Sequence, residues 1–162
     1  MRVTLEPWTD ADLEVLRRAN TPELTRHLGG PETDAALVER HTEYLTGGDA
    51  VRMFRVEVDG VPAGYAGYWE QDHDDAPAYE VGCVIEPEWQ GRGVATAALS
   101  DVVARAVAAG GGRPVVGYGA VGNEASAALC RRVGFTLEGA GTFPAGPDGG
   151  EPVDVKVWVI RR

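Results

Sequence analysis

The sequence predicts a three-layer domain of the α/β (α+β) class, on three observations. Apolar residues recur at helical spacing before residue 46, alternate with polar ones from residue 51, and return to helical spacing after each of two turns beyond residue 90. Met1 to Leu5 reads as a short strand. Thr9-Asp10 then supplies cap-type residues ahead of Ala11-Asp12-Leu13-Glu14-Val15-Leu16, where a helix opens. Breaks at Asn20-Thr21-Pro22 and Gly29-Gly30-Pro31 precede a second helical stretch, roughly Asp34 to Leu45, which Gly47-Gly48 stops.

From Val51 the period is two. Phe54, Val56 and Val58 alternate with Arg55, Glu57 and Asp59, and Asp59-Gly60 turns the chain into a second run, Val61 to Trp69, giving a β-hairpin. Glu70-Gln71-Asp72-His73-Asp74-Asp75 reads as an acidic loop, followed by a strand from about Ala78 to Ile85 that Pro87 ends. Val94 to Ala109 is a helix with Leu99, Val102, Val103 and Ala106 on one face, closed by Gly110-Gly111-Gly112. Pro114 to Tyr118 is a short strand, Asn123 to Val133 a helix ended by Gly134, and Phe135 to Gly141 a strand. After a Gly/Pro-rich loop from Pro144 to Pro152, alternation at Val153, Val155, Val157 and Val159 marks the last strand.

The 162 residues match one ordinary domain, 1–162, that buries roughly 70% of its unfolded surface. Hydrophobic residues make up 44% of the chain, with no run near the roughly 20 needed to span a membrane, and the N-terminus lacks a signal-peptide stretch, so a cytoplasmic location is expected. Cys83 and Cys130 read as free thiols, and no Cys/His spacing suggests a metal. His73 among Asp72, Asp74 and Asp75 fits a solvated loop better than a metal site, since no second ligand follows at a suitable spacing. A net charge of −10 argues against nucleic-acid and anionic-membrane partners; it favours cationic ones, or simply keeps the chain soluble.

The stretch Gln90-Gly91-Arg92-Gly93-Val94-Ala95-Thr96 carries the chemistry. A strand gives way to a glycine-rich turn that opens a helix, so free backbone N–H groups and the positive end of the helix dipole face one spot. Such a spot binds phosphate. A P-loop is excluded because no Gly-Lys-Ser/Thr follows, and a dinucleotide fingerprint is disfavoured because Thr96 occupies the third glycine position. Kinase motifs are missing downstream, which leaves a bare structural turn as the plain alternative.

A second motif, Asn123-Glu124-Ala125-Ser126-Ala127-Ala128-Leu129-Cys130-Arg131-Arg132-Val133-Gly134-Phe135, makes the pattern specific. Together the two stretches resemble the GNAT superfamily of N-acetyltransferases. Their cofactor loop reads Gln/Arg-x-x-Gly-x-Gly/Ala, matched by Gln90, Gly93 and Ala95, and their later helix begins with Asn and ends in Gly-Phe, matched by Asn123, Gly134 and Phe135. Arg26-His27-Leu28-Gly29-Gly30-Pro31 and Asn123-x-x-Ser126 are similar to the branch that includes ribosomal-protein alanine acetyltransferases.

The resemblance implies a mixed, mostly antiparallel sheet of six to seven strands with helices on both faces. It implies acetyl-CoA as cofactor and a primary amine as acceptor, a protein N-terminus or a small molecule, with the first two helical segments bordering the acceptor site. Its diphosphate would rest on Gln90, Gly91, Arg92, Gly93, Val94, Ala95 and Thr96. Its pantetheine would lie along a splayed strand at Cys83, Val84 and Ile85, where a backbone N–H polarises the acetyl carbonyl. Asn123 would bond the pantetheine amides.

Acetyl transfer to an amine needs a neutral amine, a stabilised oxyanion and a proton for the thiolate. Glu80 stands where many relatives carry the carboxylate that draws the amine's proton through water; as a residue on a half-exposed strand it equally fits a solvated or paired side chain. Asn123, Ser126 and Cys130 share one helix face, and Ser126 is preferred as the acid over Cys130, which stands where many relatives have tyrosine. No activated nucleophile is evident, so direct attack in a ternary complex is expected. The alternative is a non-catalytic CoA-binding regulatory domain. Dimers are common in the family, so a homodimer is a further expectation.

Overall fold

The computed structural model describes residues 1–145 and 150–161. Seven strands form one sheet: β1 (Val3–Pro7), β2 (Val51–Val58), β3 (Val61–His73), β4 (Ala76–Ile85), β5 (Val115–Ala120), β6 (Thr136–Ala145) and β7 (Gly150–Ile160). Their spatial order is β1-β2-β3-β4-β5-β7-β6, antiparallel throughout except for the β4–β5 pair. The helices are α1 (Leu13–Ala19), α2 (Pro22–Thr25), α3 (Asp34–Thr46), α4 (Val94–Ala109) and α5 (Glu124–Val133).

The alternation seen in the sequence sorts residues onto two faces of the sheet. Phe54, Val56, Ala66, Tyr68, Tyr79, Val81 and Ile85 pack with Val94, Leu99, Val102, Val103 and Ala106 of α4 and with Ala127 and Cys130 of α5, forming the main core. The opposite face of β2 and β3 receives α1 and α3, which bury Val15, Leu16, Ala19 and Leu37. Asp12 is 4% exposed there and is fully engaged: its carboxylate accepts from the Thr9 N–H at 2.8 Å and from Arg55 Nη1 at 2.7 Å. That pairing ties the start of α1 to β2.

Three sequence expectations change. The acidic stretch Glu70 to Asp75 is not a loop: β3 continues to His73 and β4 begins at Ala76, with Asp74 and Asp75 at φ 51° and 59° making a two-residue turn. Aspartate tolerates this left-handed backbone better than most side chains, which the composition alone disguises as hydration. The Pro144–Pro152 loop is shorter than expected, since Pro144 and Ala145 lie in β6 and β7 starts at Gly150; residues 146–149 lie outside the described residues. The break at Asn20-Thr21-Pro22 holds a one-turn helix, α2, with Thr21 Oγ1 accepting from the Leu24 N–H at 3.2 Å. No helix among the described residues is long and apolar enough to cross a membrane.

Candidate active site

β4 and β5 are paired only at Tyr79↔Val115 and Glu80↔Val116. Beyond that point the strands part: Val81 to Ile85 stay bonded to β3, and Gly117 to Ala120 stay bonded to β7, so each keeps a free edge facing the other. The gap opens toward the loop after β4. A parallel pair that separates after two residues leaves main-chain donors and acceptors unspent, and buried main-chain groups require partners.

At the open end the chain makes one turn of 3₁₀ helix, Pro87–Trp89, and reaches Gln90, whose Nε2 donates to the Ile85 carbonyl at 2.8 Å. Gln90, although exposed, therefore braces the loop through its side-chain amide. Gly91 and Gly93 have φ of 74° and 83°, a backbone region that other residues enter at a cost of roughly 1–2 kcal/mol. A β-carbon at either position would meet no atom within 4 Å, so the space in front of their amides is open. Gly93 caps α4 without a side-chain bond, and the first main-chain bond there runs from the Ala97 N–H to the Gly93 carbonyl at 3.1 Å. The N–H groups of Val94, Ala95 and Thr96 are thus the uncapped start of a sixteen-residue helix, aimed with its dipole at that space. Arg92 adds a guanidinium at the rim, stacked 5.3 Å above the Trp89 ring. The loop fits a diphosphate in shape and in charge.

α5 borders the gap from the β5 side. Asn123 is its N-cap and not its first residue: Oδ1 accepts from the Ser126 N–H at 3.1 Å, leaving the amide NH₂ to other partners. A β-carbon on Gly119 would lie 2.7 Å from Ser126 Oγ, so the serine hydroxyl sits directly against β5 at the parted edge. Cys130 is 7% exposed inside the core, and burial pushes its thiol up to about 11. Burial likewise pushes the Cys83 thiol up to about 12. Both are neutral thiols at pH 7, because burial outweighs the opposing effect of Arg131 at Cys130 and is the cause at Cys83. Val84 is half-buried beside the gap, whereas the Ile85 side chain belongs to the core and offers the gap only its backbone.

Glu80 is the last β4 residue paired to β5, on the face opposite α4. Burial raises its carboxyl above the ordinary range, partly offset by hydrogen bonds from Gln71 (Nε2 to Oε1, 3.4 Å) and Trp69. The surrounding side chains were not singled out from the sequence. Trp69 stands opposite Glu80 across the β3–β4 ladder, with its ring edge 2.9 Å from where a Gly82 β-carbon would be. Tyr118, two residues beyond Val116, shares the face and holds His73 Nδ1 at 3.2 Å from its hydroxyl. His73 therefore folds back onto β5 and is half-buried. On the α3 side, Tyr65 lies beside Val84 in register and contacts Arg40, whose Nη2 donates to Glu32 Oε1 at 2.6 Å. Glu32 is held in turn by Asn20, which bonds its N–H and its carbonyl at 2.8 Å each.

The arrangement joins a diphosphate cradle, a slot between two parted strands and a carboxylate where the slot begins. Comparison with known proteins gives the same class: residues 2–136 match the family model for the acetyltransferase (GNAT) domain, and the chain belongs to that family. It is an acetyl-CoA-dependent N-acetyltransferase.

No curated protein matches the chain. Among solved structures, it is similar to the ribosomal-protein-alanine N-acetyltransferase from Brucella melitensis, at 22% identity over 100% of both chains and a TM-score of 0.78. It is similar to the spermidine N-acetyltransferase from Vibrio cholerae in complex with CoA and spermine, at 22% identity over 98% of this chain and 95% of that one, TM-score 0.78. A third is an aminoglycoside acetyltransferase in complex with coenzyme A, at 21% identity over 99% and 95%, TM-score 0.74.

Proposed function

We propose that the chain acts as a single cytoplasmic N-acetyltransferase domain that brings acetyl-CoA and a primary amine together and transfers the acetyl group by direct attack. The observation that carries this reading is the end of the β4–β5 pairing at Glu80, which leaves a carboxylate where the slot begins. When bound, acetyl-CoA supplies an activated thioester carbonyl. Gly91, Arg92 and Gly93, with the N–H groups of Val94 to Thr96, hold its diphosphate. The freed edge of Cys83 to Ile85 and the Asn123 amide would hold the pantetheine arm, and a β4 N–H beside the slot would be the donor available to the acetyl oxygen.

Glu80 takes the amine's proton. Burial raises its carboxyl above the ordinary range, which favours this because a base whose pKa lies nearer the operating pH is the stronger proton acceptor. Ser126, lying against the slot, supplies the proton to the departing thiolate, its own proton being replaced from solvent. Two raised cysteine thiols leave no nucleophile for an acetyl-enzyme. The acceptor approaches the face that carries Trp69, Tyr118 and Tyr65, and the net charge of −10 favours a cationic amine. β6, an edge strand of the sheet, is where a second copy would pair in a homodimer.

The reading is tested by thiol release from acetyl-CoA with panels of peptide N-termini, polyamines, aminoglycosides and amino acids. Turnover with at least one amine class is expected. A raised melting temperature with acetyl-CoA but no thiol release across all panels would instead establish a CoA-binding domain without turnover.

A further inference from the structure

A second concavity lies at the β2 edge of the sheet, remote from the loop at 90–96. β1 ends at Pro7, opposite Phe54, so the start of β2 is left without a neighbour on that side except for the Trp8 N–H, which donates to the Met53 carbonyl at 3.2 Å. The concavity this leaves has a volume of about 430 Å³. Trp8, Tyr44, Phe54 and Tyr68 form its aromatic walls, and Arg52 and Arg105 are the only charged residues that line it. In a chain with ten more acidic than basic residues, two arginines line this concavity while their carboxylate partners, Asp49 and Asp101, stand outside its lining.

The arginines are available. Arg52 pairs with Asp49, a carboxylate 93% exposed, and Arg105 pairs with Asp101 at 3.0 Å where both side chains are about half exposed. Exposed pairs of this kind are weak, so an anion that is better enclosed displaces them at little cost. Arg105 is also placed flat, 4.8 Å from the Phe54 ring centroid. The Tyr68 hydroxyl belongs to the same wall; both guanidiniums act on it, and burial keeps it protonated as a donor. Two cationic forks and a phenol over aromatic walls recognise an apolar or aromatic monoanion, the stacked guanidinium binding the charge and the rings covering the apolar part.

We propose that this concavity is a second ligand site, for a small aromatic or apolar carboxylate or sulfonate, separate from the acetyl-CoA and amine sites. It is one ring away from the acceptor side: Trp8 meets Tyr44 edge-on at 5.4 Å and Tyr65 at 6.2 Å, and Tyr65 stands beside Val84. A ligand against Trp8 and Tyr44 therefore bears on the wall of the acceptor cleft.

The test uses 1-anilinonaphthalene-8-sulfonate with the full chain and saturating coenzyme A, which keeps the probe out of the cofactor slot. One bound probe per chain is expected, with binding weakened about tenfold by Arg105→Gln or Arg52→Gln, the loss of one charge-assisted hydrogen bond. Acetyl-CoA turnover of these variants, remote from the slot, is the control that they fold. Equal affinity for the uncharged N-phenyl-1-naphthylamine, unchanged affinity in the double Arg52→Gln/Arg105→Gln variant, or complete displacement by coenzyme A would each overturn the proposal.

Discussion

The two faces that meet at the β4–β5 gap use different materials. On the proposed cofactor side the groups on offer belong to the backbone: the amides of residues 91 to 96 and the freed edge of β4, with glycine admitting the left-handed turns and Gln90 bracing the loop. On the acceptor side they are side chains drawn from far apart in the chain, Glu32 and Arg40 from α3 and its approach, Tyr65 and Trp69 from β3, Glu80 from β4 and Tyr118 from β5. A backbone cradle recognises a diphosphate shared by every reaction of this kind and tolerates most changes of side chain around it. A wall of aromatic and ionisable side chains can be altered one residue at a time, so the choice of amine is located there.

That contrast is broken most severely by Gly93→Glu, which puts a β-carbon on a backbone at φ 83° and a carboxylate in front of the diphosphate amides. Like-charge repulsion and the bulk of the side chain in front of the amides are expected to cost about 4 kcal/mol of cofactor binding, roughly a thousandfold in kcat/KM. The acetyl-CoA-induced rise in melting temperature should vanish, and the melt without ligand should fall by a few degrees, because the backbone strain is present with or without cofactor. A retained thermal shift would mean that these amides do not hold the cofactor.

Glu80→Gln separates the sides, because it keeps the shape and the hydrogen bonds from Trp69 and Gln71 while removing the base. Turnover should fall about a hundredfold, with coenzyme A affinity unchanged. The pH profile gives the sign. Burial holds the folded Glu80 carboxyl above its ordinary value, and the base works only when ionised, so kcat/KM should climb as pH rises through a point above the usual carboxylate range. For stability the direction is the reverse: a raised folded pKa means that folding is favoured by the protonated form, fully so below the unfolded pKa, and this advantage is lost as pH rises through the folded pKa. Glu80→Gln should therefore melt higher than the parent at pH 7. An unaltered acidic limb in the variant would remove Glu80 from the reaction.

Ser126→Ala sharpens the comparison with the smallest effect. A hydroxyl packed against Gly119 can be replaced by water as proton donor, so a decrease of about three- to tenfold in kcat is expected, largest with poorly basic leaving conditions at high pH. An unchanged kcat at every pH would assign that proton to solvent.

The elements of the proposed cofactor side were legible in the sequence because their information is local. Strand, glycine turn and helix start follow one another in a single run of residues, and helix α4 has the bounds that its apolar spacing and the Gly110-Gly111-Gly112 stop predict. Asn123 and Gly134 likewise mark the two ends of α5, one as N-cap and the other at φ 107°. Composition misled where the turn chemistry was subtle. Asp74-Asp75 reads as hydration, yet it closes a hairpin that delivers His73 to Tyr118, forty-five residues away.

By itself, then, the sequence determined the class of fold, the two motif-bearing helices and the glycine cradle, since each rests on periodicity or backbone conformation spanning a few neighbouring residues. Only the tertiary structure decided where β4 and β5 part, which side chains surround Glu80 and that Arg52 and Arg105 share a concavity. Those depend on strand register and on contacts between residues dozens of positions apart, which no local pattern records.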